Sequence, residues 1–143
     1  MKEYKHLGTY GIIIKDEEIL LITKVSGPYD GKLDLPGGGI EHTETPRETL
    51  DRELMEEING TVKNATLLDV TATNIKWEME EDLWEDLHHV GILYSVELEN
   101  DKLKSDADGL DSEGANWYDI ASLNENELSP FAKVAIQKIK NEN

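Results

Sequence analysis

Cysteine is absent from the 143-residue chain, which rules out a disulfide framework, a thiolate zinc site and a cysteine nucleophile. Basic residues are scarce: 14 Lys and Arg stand against 31 Asp and Glu, a formal charge of −17. Such a chain repels a polyanionic backbone at long range, which disfavours extended DNA or RNA as a ligand. A small phosphate compound stays compatible if divalent cations screen its site. No apolar run approaches the ~18 residues of a membrane span, and MKEYKHLGTYGIIIKDEE at the start sets charge on both sides of a short apolar stretch. The expectation is a soluble, cytoplasmic protein without membrane contact or address label. Internal repeats and low-complexity linkers are missing too, and a chain of this size can bury roughly 68–70% of its unfolded surface. Residues 1–143 are therefore expected to form a single α/β domain.

Apolar, β-branched runs mark the strands. GTYGIII (8–14) and EILLITKV (18–25), joined by the polar turn KDE, read as a strand pair; ATLLDVTATNIKW (65–77), HHVGILYSVEL (88–98) and ANWYDI (115–120) read as further strands. The acidic segment EMEEDLWED (78–86) reads as an insert between two of them, and SGPYDGKLD (26–34) as a loop. A closing helix is expected from Ser129, with Phe131, Val134, Ala135 and Ile139 on one side.

The most informative stretch follows the glycine run LPGGG (35–39). Thr45, Pro46 and Glu48 form a helix start, with threonine as cap and proline in the first turn. Asn59 and Gly60 end the helix, being the residues that most readily take left-handed backbone angles. Leu50, Leu54 and Ile58 form its packing stripe. At about 100° per residue, Glu53, Glu56 and Glu57 fall beside that stripe within one arc, partly screened from water. A solvated acidic face is one reading of this cluster. The other is a set of hard oxygen ligands for Mg²⁺ or Mn²⁺, with Gly37, Gly38 and Gly39 letting backbone approach the ion and its phosphates.

The segment 38–60 resembles the box of the Nudix family, G-x5-E-x7-R-E-U-x-E-E-x-G-U, where U is a bulky aliphatic. Gly38, Glu44, Arg52, Glu53, Leu54, Glu56 and Glu57 all match. Asn59 stands where the pattern has glycine, Gly60 where it has an aliphatic residue, and His42-Thr43 replaces a pair that often includes glycine. The resemblance implies an α/β/α sandwich with a mixed β-sheet, and Mg²⁺- or Mn²⁺-dependent cleavage of a pyrophosphate bond in a small nucleoside diphosphate derivative: a (d)NTP, a nucleotide sugar or ADP-ribose. Glu53, Glu56 and Glu57 would hold metal with help from a backbone carbonyl near Gly38, and Arg52 would pair with Glu44 or a helix carboxylate. Glu53 is the first choice for general base. Glu97, Asp111 and Glu113 are candidate loop bases or metal ligands, with a plain surface acid as the alternative for each. Tyr29, Trp77 and Trp84 lie in or beside expected loops, where an aromatic ring could stack on a base, although packing is the commoner fate of such residues.

Other features carry less. DADGLDSEG (106–114) has glycine at the fourth position and Trp117 at the twelfth, so it fails as a calcium loop. His88 and His89 are adjacent in an expected strand and point to opposite faces, so they cannot chelate one ion together. A nucleotide sensor without catalysis and an RNA 5′-pyrophosphohydrolase are the competing readings. The intact carboxylate and arginine set weighs against the first, the acidic composition against the second. The isomerase branch of the fold needs a cysteine this chain lacks. A homodimer is left open.

Overall fold

A computed structural model describes residues 1–100, 103 and 112–142. Seven strands and two helices follow in the order β1 (Lys2–Lys15), β2 (Glu18–Lys24), β3 (Leu33–Asp34), β4 (Gly37–Gly39), α1 (Pro46–Ile58), β5 (Val62–Glu80), β6 (Leu83–Leu98), β7 (Ser112–Asp119) and α2 (Pro130–Asn141). The sheet runs β3-β2-β1-β6-β5, with β4 paired to β1 and β7 to β2. It is mixed, because β1 and β6 run parallel while every other pairing between these strands is antiparallel.

Alternation along the strands explains why both faces are covered. On β2, Ile19 and Leu21 join one apolar cluster with Phe131, Ala132, Ala135 and Ile136 of α2. Their neighbours Leu20 and Ile22 join the other, with Leu50, Leu54 and Ile58 of α1. Period-2 side chains feed two helices on opposite sides, giving an α/β/α sandwich. The α1 stripe is fully buried, as its spacing required. The α2 stripe is rotated from expectation: Ala132 and Ile136 are buried, while Val134 and Ile139 are only partly covered.

Both ends of α1 form as their residues dictate. The Thr45 hydroxyl accepts from the Glu48 N–H at 3.2 Å, and the Glu48 carboxylate accepts from the Thr45 N–H at 3.0 Å. Asn59 closes the helix in the left-handed conformation, φ 56°. Gly60 leaves no gap where the pattern has an aliphatic residue, since a Cβ there would meet Ile58 and Leu98 at 3.2 Å.

The largest departure from expectation concerns residues 78–86. They are not an insert but the tip of one long hairpin, with Glu80 opposite Leu83 and Trp77 opposite Glu85. Asp82 turns the chain at φ 60°. Residues 78–84 resemble loop composition because all their side chains are exposed, whereas Glu85 is buried where the hairpin meets the cleft. Beside it, β1 reaches back to Lys2, paired with Glu85 of β6. Among the described residues, no helix is long and apolar enough to cross a membrane.

Candidate active site

The glycine strand β4 lies between β1 and α1, and its backbone explains its composition. Gly37 has φ 143°, and a side chain there would strike the Thr9 carbonyl and Tyr10 on β1. Gly38 faces α1, where a Cβ would sit 2.6 Å from the Glu53 carboxyl carbon. Only a bare backbone permits this approach of strand and carboxylate.

On the helix side, Arg52 organises the acids. Its Nε and Nη2 donate to the two Glu44 oxygens at 2.7 and 2.9 Å, its Nη1 to Glu53 at 2.8 Å and Glu56 at 3.3 Å, and its Nη2 also to the Gly39 carbonyl at 3.2 Å. The planar fork suits this bidentate grip. Arg52 beside Glu44, aided by the Glu41 N–H, pulls the Glu44 carboxyl down to about 2. The carboxylate partners, Glu44 foremost, raise the Arg52 pKa further. Glu57 is buried and accepts from the Gly37 N–H at 2.9 Å, whereas the Glu56 side chain is 62% exposed.

These groups form one wall of a cleft of about 860 Å³, a size that suits a small organic ligand. Glu53, Glu56, Glu57 and Gly37–Gly39 all line it. The facing surface is made by β1, the loop after β2 and β6, through Tyr10, Tyr29, Leu87 and His89 among others. Among the described residues, no three His, Asp or Glu side chains stand close enough to enclose an ion. Glu53 and Glu56 accept from Arg52 and Glu57 from Gly37 instead. The donor chemistry, charged oxygens with carbonyls beside them, nevertheless fits a hard divalent cation.

The other sequence candidates scatter. Tyr29 lines the cleft, and its ring lies nearly parallel to that of His89, centres 5.6 Å apart, with its hydroxyl 2.7 Å from the His89 ring. Trp84 sits exposed on β6 near the hairpin tip, away from the cleft lining, and Trp77 donates across the hairpin to Glu85 at 3.2 Å. Glu97 is also outside the lining. Its carboxylate is held low by Asn64 and Lys63, at 3.2 and 3.3 Å. Asp111 and the side chain of Glu113 lie outside the described residues. His88 and His89 take opposite faces as expected, and His89 is buried in the cleft wall. Sequence reading also missed His6, because β1 was expected to begin at residue 8; residues 2–7 are all exposed and carry no apolar alternation that would have extended the strand.

Comparison with known proteins settles the ancestry. The NUDIX domain family model matches residues 5–139. The chain belongs to the NUDIX family. This NUDIX chain is 33% identical over 113 residues to the ADP-ribose pyrophosphatase of Methanocaldococcus jannaschii, covering 79% of the chain and 61% of that relative. It is 28% identical over 132 residues to the 8-oxo-dGTP diphosphatase of Escherichia coli, covering 91% and 92% of the two chains. The fold matches the crystal structure of a MutT NUDIX hydrolase from Burkholderia pseudomallei with a TM-score of 0.66 at 22% identity, covering 94% of this chain and 97% of that one.

Proposed function

We propose that this NUDIX domain, a single unit over residues 1–143, is a Mg²⁺- or Mn²⁺-dependent pyrophosphohydrolase of small nucleoside diphosphate derivatives, in the class that includes ADP-ribose and oxidised or ordinary nucleoside triphosphates. The carrying observation is spatial: Glu53, Glu56 and Glu57 line one cleft with the glycine strand, while Arg52 is gripped on two oxygens by Glu44. Glu53, Glu56 and Glu57, with a carbonyl of the Gly37–Gly39 strand, would hold the cation. When bound, it supplies neutralisation of the phosphate oxygens and a lowered pKa for water.

The chain's own residues do the rest. Glu44 fixes the guanidinium of Arg52, and Arg52 fixes the Glu53 carboxylate. Glu53 takes the proton as the water oxygen attacks phosphorus in line and the bridging P–O bond breaks. The bare β4 backbone leaves room for the diphosphate against the helix. Product release from a panel of nucleotides, with and without Mg²⁺ and beside Glu53→Gln, tests the reading. Magnesium-dependent hydrolysis lost in Glu53→Gln is expected. A panel that stays inert while one nucleotide binds tightly would replace the enzyme with a sensor.

A further inference from the structure

A buried imidazole between two phenols has no part in the chemistry above. The His89 Nε2 lies 2.6 Å from the Tyr10 hydroxyl and its Nδ1 2.7 Å from the Tyr29 hydroxyl. All three side chains are less than 10% exposed and line the cleft. Phe131 of α2 supports the His89 ring from the core side at 4.5 Å, and His6 lies against it at 4.9 Å between ring centres.

A neutral imidazole has one N–H and one lone pair, so one tyrosine donates to the ring and the other accepts from it. The accepting tyrosine keeps its own O–H, and neither hydroxyl has another hydrogen-bond partner among the described residues. Either tautomer therefore leaves one hydroxyl proton over, on a residue that borders the cleft. Burial, with His6 and Lys24 nearby, holds the His89 pKa down at about 3, so the ring stays neutral. Burial likewise raises both tyrosines, so both keep their protons.

We propose that Tyr10, His89 and Tyr29 form a specificity device that offers this one hydroxyl proton to an acceptor atom, a carbonyl oxygen or ring nitrogen, on the base of the bound nucleotide. The inference rests on the nucleotide reading of the cleft. With the diphosphate against the acidic helix, the uncharged remainder of the ligand meets the wall made by β1 and β6. The lining there presents the rings of Tyr10, Tyr29 and His89 and the Leu87 side chain, with Lys5, Lys24 and Glu85 beside them, and the rings suit a planar base. A site built to pair one polar atom rejects a base that lacks it, because the spare donor is then left buried and unmatched.

The test needs no hydrolysis. Nucleoside monophosphates carrying different bases are titrated into the wild type, Tyr10→Phe and Tyr29→Phe, and the His89 ring nitrogens are followed by ¹⁵N NMR, with melting temperature as a check on folding. Base-dependent affinities in the wild type are expected. The preference among bases should fall by about tenfold or more in the Phe variant of the tyrosine that carries the spare proton. His89 should show one protonated and one unprotonated nitrogen at neutral pH. Equal affinity for every base, no binding at all, a preference unchanged in both variants, or a doubly protonated His89 would each overturn the proposal. If base-selective binding survives while hydrolysis is absent, the enzyme reading fails and this inference stands. If hydrolysis proceeds with base preference untouched by both variants, the reverse holds.

Discussion

Replacing Arg52 with lysine keeps the charge and removes the fork, which isolates what geometry contributes. The guanidinium donates twice to Glu44, and also to Glu53, Glu56 and the Gly39 carbonyl. A lysine ammonium can reach one carboxylate well, so the second Glu44 bond and the Gly39 bond are the clearest losses. Each such bond is worth about 1 kcal/mol net, and charge assistance adds less than its maximum because the Arg52 side chain is 23% exposed. The sum is about 2 kcal/mol, or about 6–8 °C in Tm for a chain of this size. Activity should fall further than stability, since displacing Glu53 by about 1 Å can cost about a hundredfold in rate. Differential scanning calorimetry and kcat on the best substrate of the panel read the two effects. A Tm within about 2 °C of the wild type with kcat unchanged would refute the positioning role.

Three further predictions come from the same structure. Phe131→Ala should destabilise the domain by about 3–5 kcal/mol in urea unfolding, because Phe131 packs on His89 and Tyr10 and fills the space beside Gly91. His89 binds a proton near 6.5 when unfolded and only near 3 when folded, so its contribution is complete above pH 6.5 and is lost as pH falls toward 3. Unfolding free energies across that window should fall less steeply for His89→Asn than for the wild type, with His6 titrating in both. Thr43 holds φ 74°, in the left-handed region that a β-branched residue seldom adopts. Thr43→Gly should relieve about 1–2 kcal/mol of strain against about 0.5–1 kcal/mol of added chain entropy, a net rise in Tm of a few degrees.

What could be read from the chain follows a physical division. Local rules placed α1 well: its cap, its proline, its left-handed end and its buried stripe are all decided between Thr45 and Asn59. Matching positions at fixed spacing along one helix also brought the acids and Arg52 together before any tertiary contact was known. The hairpin of β5 and β6 was legible only in part, because residues 78–84 are all exposed and lack the apolar alternation that marks a strand. The far wall of the cleft was hidden for a different reason. Tyr10, Tyr29 and His89 stand 79 and 60 residues apart in their pairings, and no local pattern announces a contact between a strand, a loop and a distant strand. The Thr43 conformation shows the converse, since the family pattern often has glycine in that pair and the backbone here adopts an angle glycine would prefer.

The central claim is that the carboxylates of α1 bind a divalent cation together with a nucleotide. Mn²⁺ binding followed by electron paramagnetic resonance, with nucleotide present, tests it directly in the wild type, Glu53→Gln and Glu56→Gln. The Glu56 side chain is largely exposed, so that variant should fold normally. Binding in the wild type, weakened about tenfold or more in each variant, is the predicted result. Mn²⁺ affinity equal in all three proteins would contradict the account.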